Sequence, residues 1–232
     1  MLSVAILCGG LAMRLRPITA TIPKSLVQVA GEPFVVHQLR YLRKQGVSRV
    51  VLCVSYLGEQ IVDVAGDGSA FGLDVGYSHD GPELLGTGGA LKRALSLLGD
   101  SFFVLYGDSY LPIDFGEVER SFFSAASPAL MTVLRNEDRW DKSNVRYEKG
   151  VIFEYNKRKP DTRMEHIDYG LSVVSGEALV PYPDASPFDL ADVFHDLSAA
   201  GRLAGFEVFE RFYEIGSPQG LTETADYLAS QR

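Results

Sequence analysis

The sequence predicts an α/β protein with a mostly parallel central sheet flanked by helices, and two observations carry that expectation. Short, continuous apolar runs alternate with helical patterns, and the links between them are short. Residues 2–7, 49–54, 73–77 and 102–106 are rich in Val, Ile, Phe or Tyr without a polar alternation, as strands buried on both faces require. Between the first two runs, Pro33 opens a helix whose Val35, Leu39 and Leu42 share one face and whose stop is Gly46. A shorter helix fits between Tyr56 and Gly66. After Thr87, the residues Leu91, Ala94, Leu95 and Leu98 follow helical spacing up to Gly99. Strand, helix, strand, helix with short links implies right-handed crossovers and a sheet whose ligands lie beyond the carboxyl ends of its strands.

The second half changes character. Residues 128–134, 143–147, 151–155 and 167–174 read as strands, with Glu148-Lys149-Gly150 as a hairpin turn. Helices return where Asp189 caps a pattern of Leu190, Val193, Phe194 and Leu197, and where Ser217-Pro218 opens one of Leu221, Thr224, Ala225 and Leu228. One domain over 1–232 is expected, with a nucleotide-binding type of half at 1–127 and a half at 128–232 that completes the sheet and adds a smaller antiparallel lobe.

A chain of 232 residues with 46 % hydrophobic and 22 % charged residues has enough apolar material for a substantial core, which excludes disorder. Its 22 basic and 30 acidic residues give a net charge of −8, which speaks against nucleic acid or an anionic membrane as a partner. There is no run of 18 apolar residues and no signal-like N-terminus, so a cytoplasmic location is expected. Cys8 and Cys53, both in or beside strands, read as small buried hydrophobes rather than a disulfide.

Against that acidic background the loop after the first strand stands out. Gly9 and Gly10 let the backbone approach a ligand, and Arg14, Arg16 and Lys24 add positive charge, so the loop suits an anion with several charges. It is neither a dinucleotide fingerprint nor a Walker A sequence. Gly86-Thr87-Gly88-Gly89 places a flexible backbone and a hydroxyl cap at a helix start, where a polar or anionic ligand is favoured. Gly107-Asp108 ends a strand with a carboxylate, and Glu214 supplies a second one just before the last helix.

Taken in order, these segments resemble the sugar-1-phosphate nucleotidyltransferases. The family's opening signature is similar to Gly9-Gly10-Leu11-Ala12-Met13-Arg14-Leu15-Arg16-Pro17-Ile18-Thr19 followed by Pro23-Lys24-Ser25-Leu26. Its Gly-Thr-Ala-Gly-Ala motif is similar to Gly86–Ala90, its strand-end Gly-Asp to Gly107-Asp108, and its Asp-Ile-Gly-Thr-Pro to Glu214–Pro218. The chain departs from the pattern at Ala12, where the signature has glycine, at Ser25, where it has proline, and at Glu214, where it has aspartate. Tyr155-Asn156-Lys157 matches the family's Glu-Lys-Pro segment loosely, and Asp168-Tyr169-Gly170 resembles its Asn-Ala-Gly.

The resemblance implies a Rossmann-like, GT-A-like fold with an antiparallel sugar-binding lobe, and transfer of a nucleoside monophosphate from a nucleoside triphosphate to a sugar 1-phosphate with Mg²⁺. It implies catalytic roles for Arg14, Lys24 and Lys157, nucleotide contacts at Leu7, Gly9, Gly10, Gly86, Thr87 and Gly88, and sugar contacts at Asn144, Asn156, Asp168 and Gly170. Asp108 and Glu214 are the metal ligands it implies. The sequence is most similar to short bacterial guanylyltransferases acting on mannose or heptose 1-phosphate, which make precursors of polysaccharide and lipopolysaccharide. Uridylyl- or thymidylyltransferases, N-acetylmuramate 1-phosphate uridylyltransferase among them, form the alternative, with base choice resting on residues 79–86. An inactive sugar-nucleotide-binding regulator is the other class of reading, opposed by the retention of Arg14, Lys24, Asp108 and Lys157 together. Aromatic and apolar residues of the second half admit a homodimer.

Overall fold

In the computed structural model, which describes residues 1–10, 15, 18–184 and 186–231, the apolar runs do form adjacent strands. The chain passes through β1 (Ser3–Leu7), a tight ribbon of β2 (Gln28–Val29) and β3 (Glu32–Pro33), α1 (Phe34–Lys44), β4 (Arg49–Val54), α2 (Gly58–Ala65) and β5 (Asp74–His79). It continues with α3 (Gly86–Leu98), β6 (Ser101–Tyr106), β7 (Ser109–Tyr110), α4 (Phe115–Ala125), β8 (Ala129–Arg135), β9 (Val145–Glu148), β10 (Val151–Tyr155) and β11 (His166–Ser175). It closes with α5 (Leu190–Ala199), β12 (Leu203–Val208), β13 (Tyr213–Glu214) and α6 (Pro218–Ser230).

Nine strands make one sheet in the order β5-β4-β1-β6-β11-β8-β12-β10-β9. The first four of these pair in parallel, as the crossovers require. β11 enters antiparallel between β6 and β8, β12 lies parallel to β8, and β10 and β9 follow antiparallel. The sheet is therefore mixed as a whole and mostly parallel only in its first half. The antiparallel strands continue that sheet edge to edge instead of forming a lobe apart from it.

Alternation along the strands explains the continuous apolar runs. Val4 and Ile6 of β1, with Val50, Leu52 and Val54 of β4, face one layer, which α1, α2 and α4 cover through Leu39, Ile61 and Phe115. Ala5, Val51 and Cys53 face the other layer, covered by Leu91 and Ala94 of α3 and Val193 and Phe194 of α5. Each strand is apolar on both faces because both faces are roofed. The last helix, α6, stands outside these layers and closes a small cluster of Val27, Val29, Phe34, Ile215 and Leu228.

The caps behave as their chemistry requires. Asp189 accepts from Ala191 N–H and Ser217 from Gly220 N–H, each at the start of its helix, and Pro218 occupies the first turn of α6. Besides the two-residue strands β2, β3, β7 and β13, two elements were not visible as patterns, α4 and β12. The first carries its own start signal, since Asp114 accepts from Glu117 N–H three residues on. Among the described residues no helix is long and apolar enough to cross a membrane.

Candidate functional site

The carboxyl ends of β1, β4, β5 and β6 meet at a cleft of about 500 Å³. Backbone bonds draw those ends together: Cys8 N–H donates to Cys53 O at 2.9 Å and Gly107 N–H to Leu7 O at 3.0 Å. Glycine is required at 107, because a Cβ there would stand 2.8 Å from Leu7 O and 3.0 Å from Cys8 Sγ. That close approach is what brings the next residue, Asp108, beside the first loop.

Asp108 Oδ2 and Lys24 Nζ lie 2.5 Å apart, with side chains 31 % and 16 % exposed. Ser109 Oγ donates to the other carboxylate oxygen at 3.2 Å, and the backbone oxygen of Asp108 accepts from Ile215 N–H at 2.9 Å. Lys24 begins a short 3-10 turn braced by Val27 N–H donating to its backbone oxygen. Its neighbour Ser25 is buried in the cleft wall, its hydroxyl beside the Cys8 thiol. Burial pushes the Cys8 thiol, in the same wall, up to about 12, which holds it in the protonated form.

Several predicted contacts do line this cleft: Leu7, Gly9, Gly10, Lys24, Gly86, Thr87 and Asp108. Gly9 and Gly10 serve different ends. A Cβ on Gly9 would stand 2.9 Å from Ser55 Oγ, whereas one on Gly10 would meet nothing within 4 Å, so only Gly10 keeps open space free. Arg14 lies outside the described residues, as do Ala12, Arg16 and Pro17.

The glycine-rich start of α3 differs from the expectation. No side chain caps it. Gly88 and Gly89 N–H both donate to Phe188 O, at 3.0 and 3.4 Å, and a Cβ on Gly88 would overlap the Phe188 ring. These helix-start N–H groups are thus taken up by the protein's own chain, not held open for an anion. Thr87 caps the other helix: its Oγ1 donates to Asp189 Oδ1 at 2.6 Å and accepts from Leu190 N–H at 2.8 Å. Burial opposes ionisation of Asp189, but the Thr87 hydroxyl, Ala191 N–H, Lys157 and Arg158 outweigh it and hold the carboxyl below its ordinary range. Thr87→Val, which keeps the shape and removes both bonds, is expected to lower stability by about 1–2 kcal/mol, read as the midpoint of urea unfolding.

The second predicted carboxylate is turned inward. Glu214 sits opposite Ser109 in the β13–β7 pair, yet its carboxylate accepts from Gly216 N–H and, at 2.6 Å, from Ser217 Oγ. Gly216, not Glu214, lines the cleft beside Asp108. Among the described residues no cluster of three or more His, Cys, Asp or Glu side chains is placed to hold a metal. One short carboxylate with oxygen-only donors still suits a hard cation that keeps most of its waters.

The predicted sugar contacts form a connected group of their own outside the lining of this cleft. Asn144 Oδ1 accepts from Asp168 N–H at 3.0 Å, Asn156 N–H donates to Asn144 O at 2.9 Å, and Asp168 Oδ1 accepts from Gly170 N–H at 3.0 Å. The β11–β8 register shifts at this point, between Asp168 and Ser172. Asn156 Oδ1 is spent on the N–H groups of Arg158 and Lys159, which shapes the loop that carries Lys157. Burial raises the Asp168 carboxyl to about 6, against the opposing pull of Gly170 N–H and the positive Lys157. Tyr106 joins the two groups. It lines the cleft, and its half-buried phenol, raised first by desolvation, also feels Asp168, Asp189 and Asp108.

Because the folded state holds the Asp168 proton more tightly than the unfolded chain, stability falls as pH rises from the ordinary carboxylate range through about 6. Asp168→Asn keeps an oxygen for Gly170 N–H and removes the ionisation. Melting temperatures across pH 4 to 8 should show a smaller decline for the variant than for the unaltered protein.

Among the cleft residues, Tyr106 lay outside the motifs, and Asp80 and Leu84 fell only within the segment 79–86 to which base choice was assigned. Tyr106 was signalled only as the last residue of its strand before Gly107. Asp80 directly follows β5, which runs to His79, two residues past the predicted bound at 77.

Comparison with known proteins matches residues 3–144 to the nucleotidyl transferase family. The chain is 42 % identical over 111 residues to the N-acetylmuramate alpha-1-phosphate uridylyltransferase of Neisseria meningitidis serogroup B, covering 47 % of this chain and 48 % of that protein. It is 31 % identical over 235 residues to the mannose-1-phosphate guanylyltransferase catalytic subunit beta of Xenopus tropicalis, covering 98 % of this chain and 65 % of that one. The matches therefore span about half to two-thirds of the length of these curated relatives. Among solved structures, HddC from Yersinia pseudotuberculosis complexed with GMP-PN superimposes with a TM-score of 0.84 at 26 % identity, covering 98 % of this chain and 100 % of that one.

Proposed function

Because the chain belongs to the nucleotidyl transferase family, we propose that it transfers a nucleoside monophosphate from a nucleoside triphosphate to a sugar 1-phosphate and releases pyrophosphate. The best pairing is GTP with a mannose- or heptose-type 1-phosphate. The observation that carries this reading is the Lys24–Asp108 pair at the wall of a glycine-lined cleft. It sets a phosphate-seeking cation and a metal-seeking carboxylate side by side.

The chemistry asks little else of the protein. A sugar 1-phosphate has a second pKa near ~6 and is largely dianionic at neutral pH, so its oxygen attacks the α-phosphorus without a general base. A P–O bond forms to the sugar phosphate as the bond to pyrophosphate breaks, and pyrophosphate leaves with the electron pair. What remains is to hold two mutually repelling anions together and to neutralise the charge that grows on the α-phosphate and leaving group. Lys24 serves the triphosphate, joined by Arg14. Lys157, within the electrostatic reach of Asp168 and Asp189, serves the sugar phosphate. Asp108 would hold Mg²⁺, and Glu214, bound to Gly216 N–H and Ser217 Oγ, would brace the turn beside it. When bound, the ion shields the phosphates from each other and from Asp108. Asn144, Asn156, Asp168 and Gly170 shape the sugar side.

A UTP-dependent reaction is the second reading, supported by the 42 % identity of the first half to a uridylyltransferase. The product on either reading is a cytoplasmic precursor of polysaccharide or lipopolysaccharide. The test is pyrophosphate release with Mg²⁺ over a grid of GTP, UTP, dTTP, CTP and ATP against mannose, heptose, glucose and N-acetyl-sugar 1-phosphates. One active pair that is lost in Asp108→Ala supports the proposal. A grid without turnover, from folded protein that still binds nucleoside diphosphate sugars, would point to the inactive regulator.

A further inference from the structure

Helix α5 does more than roof the sheet. Its start is tied to the cleft wall, where Asp189 bonds Thr87 and Phe188 O takes the N–H groups of Gly88 and Gly89. Further along, the same helix grips the last residue of β10. In the register, β10 meets β12 only at Val151 opposite Ala204, so by Tyr155 the strand has left that neighbour and its backbone needs other partners. Side chains of α5 supply them. Tyr155 N–H donates to Ser198 Oγ at 3.1 Å, and His195 Nδ1 donates to Tyr155 O at 2.8 Å. A carbonyl oxygen can only accept, so the imidazole proton sits on Nδ1. Ser198 is buried, and its hydroxyl is itself fixed by donating to His195 O at 2.8 Å.

His195 differs from the residues around it. Its ring is exposed, and Phe194 and Leu197 carry the packing of this part of the helix, so the core has no need of the imidazole. What the ring fixes is one carbonyl, two residues before Lys157. The segment between is held as well: Asn156 N–H donates to Asn144 O, and Asn156 Oδ1 accepts from the N–H groups of Arg158 and Lys159. Arg158 also reaches Asp192 of α5 at 2.7 Å, but an exposed ion pair of this kind holds a loop weakly. Lys157 is the exception. Its ammonium makes no hydrogen bond or ion pair among the described residues and feels Asp168 and Asp189 only at longer range. An uncommitted cation on a backbone pinned by its neighbours is the preorganised arrangement that neutralising a substrate charge requires.

We propose that His195 is a positioning residue for the transfer reaction: by holding Tyr155 O it sets the direction in which Lys157 leaves β10, and so where the lysine meets the sugar phosphate. Because the start of α5 is bonded to Thr87, the helix places this lysine relative to the nucleotide cleft and not merely relative to its own strand. The assignment rests on the reading of Lys157 as the cation for the sugar phosphate, and it adds to that reading a side chain from a different element.

The full chain is compared with His195→Ala, His195→Asn and His195→Gln. Asparagine sets an N–H as far along the side chain as Nδ1, and glutamine sets it one bond further. With the substrate pair found active in the grid, His195→Ala should lower kcat/KM for the sugar 1-phosphate about 10-fold and leave KM for the triphosphate within about 2-fold. Asparagine should restore most of that loss and glutamine little, with melting temperatures close to that of the parent. In a Lys157→Ala background, His195→Ala should add less than about 2-fold, since a residue that acts through the lysine has nothing left to place. Should His195→Ala fail to fold, the comparison of asparagine with glutamine still decides. An unchanged kcat/KM in His195→Ala, an equal rise in both KM values, asparagine no better than glutamine, or losses that multiply with Lys157→Ala would overturn the assignment while leaving the transfer reaction in place. If the unaltered protein turns over no pair, the transfer reaction falls, and calorimetric titration with the sugar 1-phosphates of the grid decides the positioning. Binding that weakens in His195→Ala and returns in His195→Asn keeps it, and unchanged binding, or none by the unaltered protein, removes it.

Discussion

Lys24→Ala is expected to slow pyrophosphate release by about 10²–10³-fold, the usual cost of removing one charge-stabilising donor. The loss should fall mainly on kcat, since the charge that Lys24 answers grows as the α-phosphorus is attacked. The free protein has a second effect to consider. Lys24 Nζ lies 2.5 Å from Asp108 Oδ2, so the substitution also leaves a half-buried carboxylate without its cation. Measuring Asp108→Ala and the double variant beside it separates the two. If both residues act on one reacting phosphate, the double variant should be only slightly slower than the worse single. Steady-state pyrophosphate release with the active pair of substrates is the measurement, and a loss under about 3-fold in Lys24→Ala would take this lysine out of the reaction.

The largest effect on stability is expected at Gly88. An alanine there drives its Cβ into the Phe188 ring and crowds the Asp189 backbone, 3.2 Å away. Overpacking of this kind costs about 1–3 kcal/mol, which for a chain of this size lowers Tm by roughly 2–12 °C. Phe188→Ala made in the same background should recover part of the loss, and the four melting curves form a cycle whose coupling measures the interlock directly. Gly10→Ala is the contrast. Its Cβ meets no protein atom within 4 Å, so Tm should hold while KM for the triphosphate rises, because the methyl occupies space left for the ligand. The same residue type is thus required once by the protein and once by its substrate.

Much of the architecture was legible because it rests on local patterns. The strand at Val151–Tyr155 falls on its predicted bounds, and α1, α3, α5 and α6 carry the apolar spacings that announced them. β12 was not legible, because Leu203-Ala204-Gly205 has weak strand preference. It is a strand by virtue of its neighbours: a Cβ at Gly205 would stand 2.7 Å from the Tyr147 ring that crosses it. At the site, the motif order led to Lys24 and Asp108 and to the linked Asn144, Asp168 and Gly170. It could not reveal that Thr87 serves Asp189, or that Glu214 is held by Gly216 and Ser217, since those are matters of where side chains turn after the fold has closed. Asp80 was covered only by the segment 79–86 to which base choice was assigned, and its burial at the cleft wall shows only in the folded chain.

The interlock at α3 also has a consequence for how the chain is made. Thr87 and Asp189 are 102 residues apart, and β11 enters the sheet between β6 and β8. A chain emerging N-terminus first can therefore pair β5, β4, β1 and β6 early, but it must wait for β11 before the far edge of β6 is covered, and for Phe188 before the start of α3 has its acceptor. A fragment ending at residue 127 would hold that waiting state permanently. It should aggregate through the open edge of β6 when expressed alone, and a separately supplied fragment beginning at 128 should restore it only if present while the first is being synthesised.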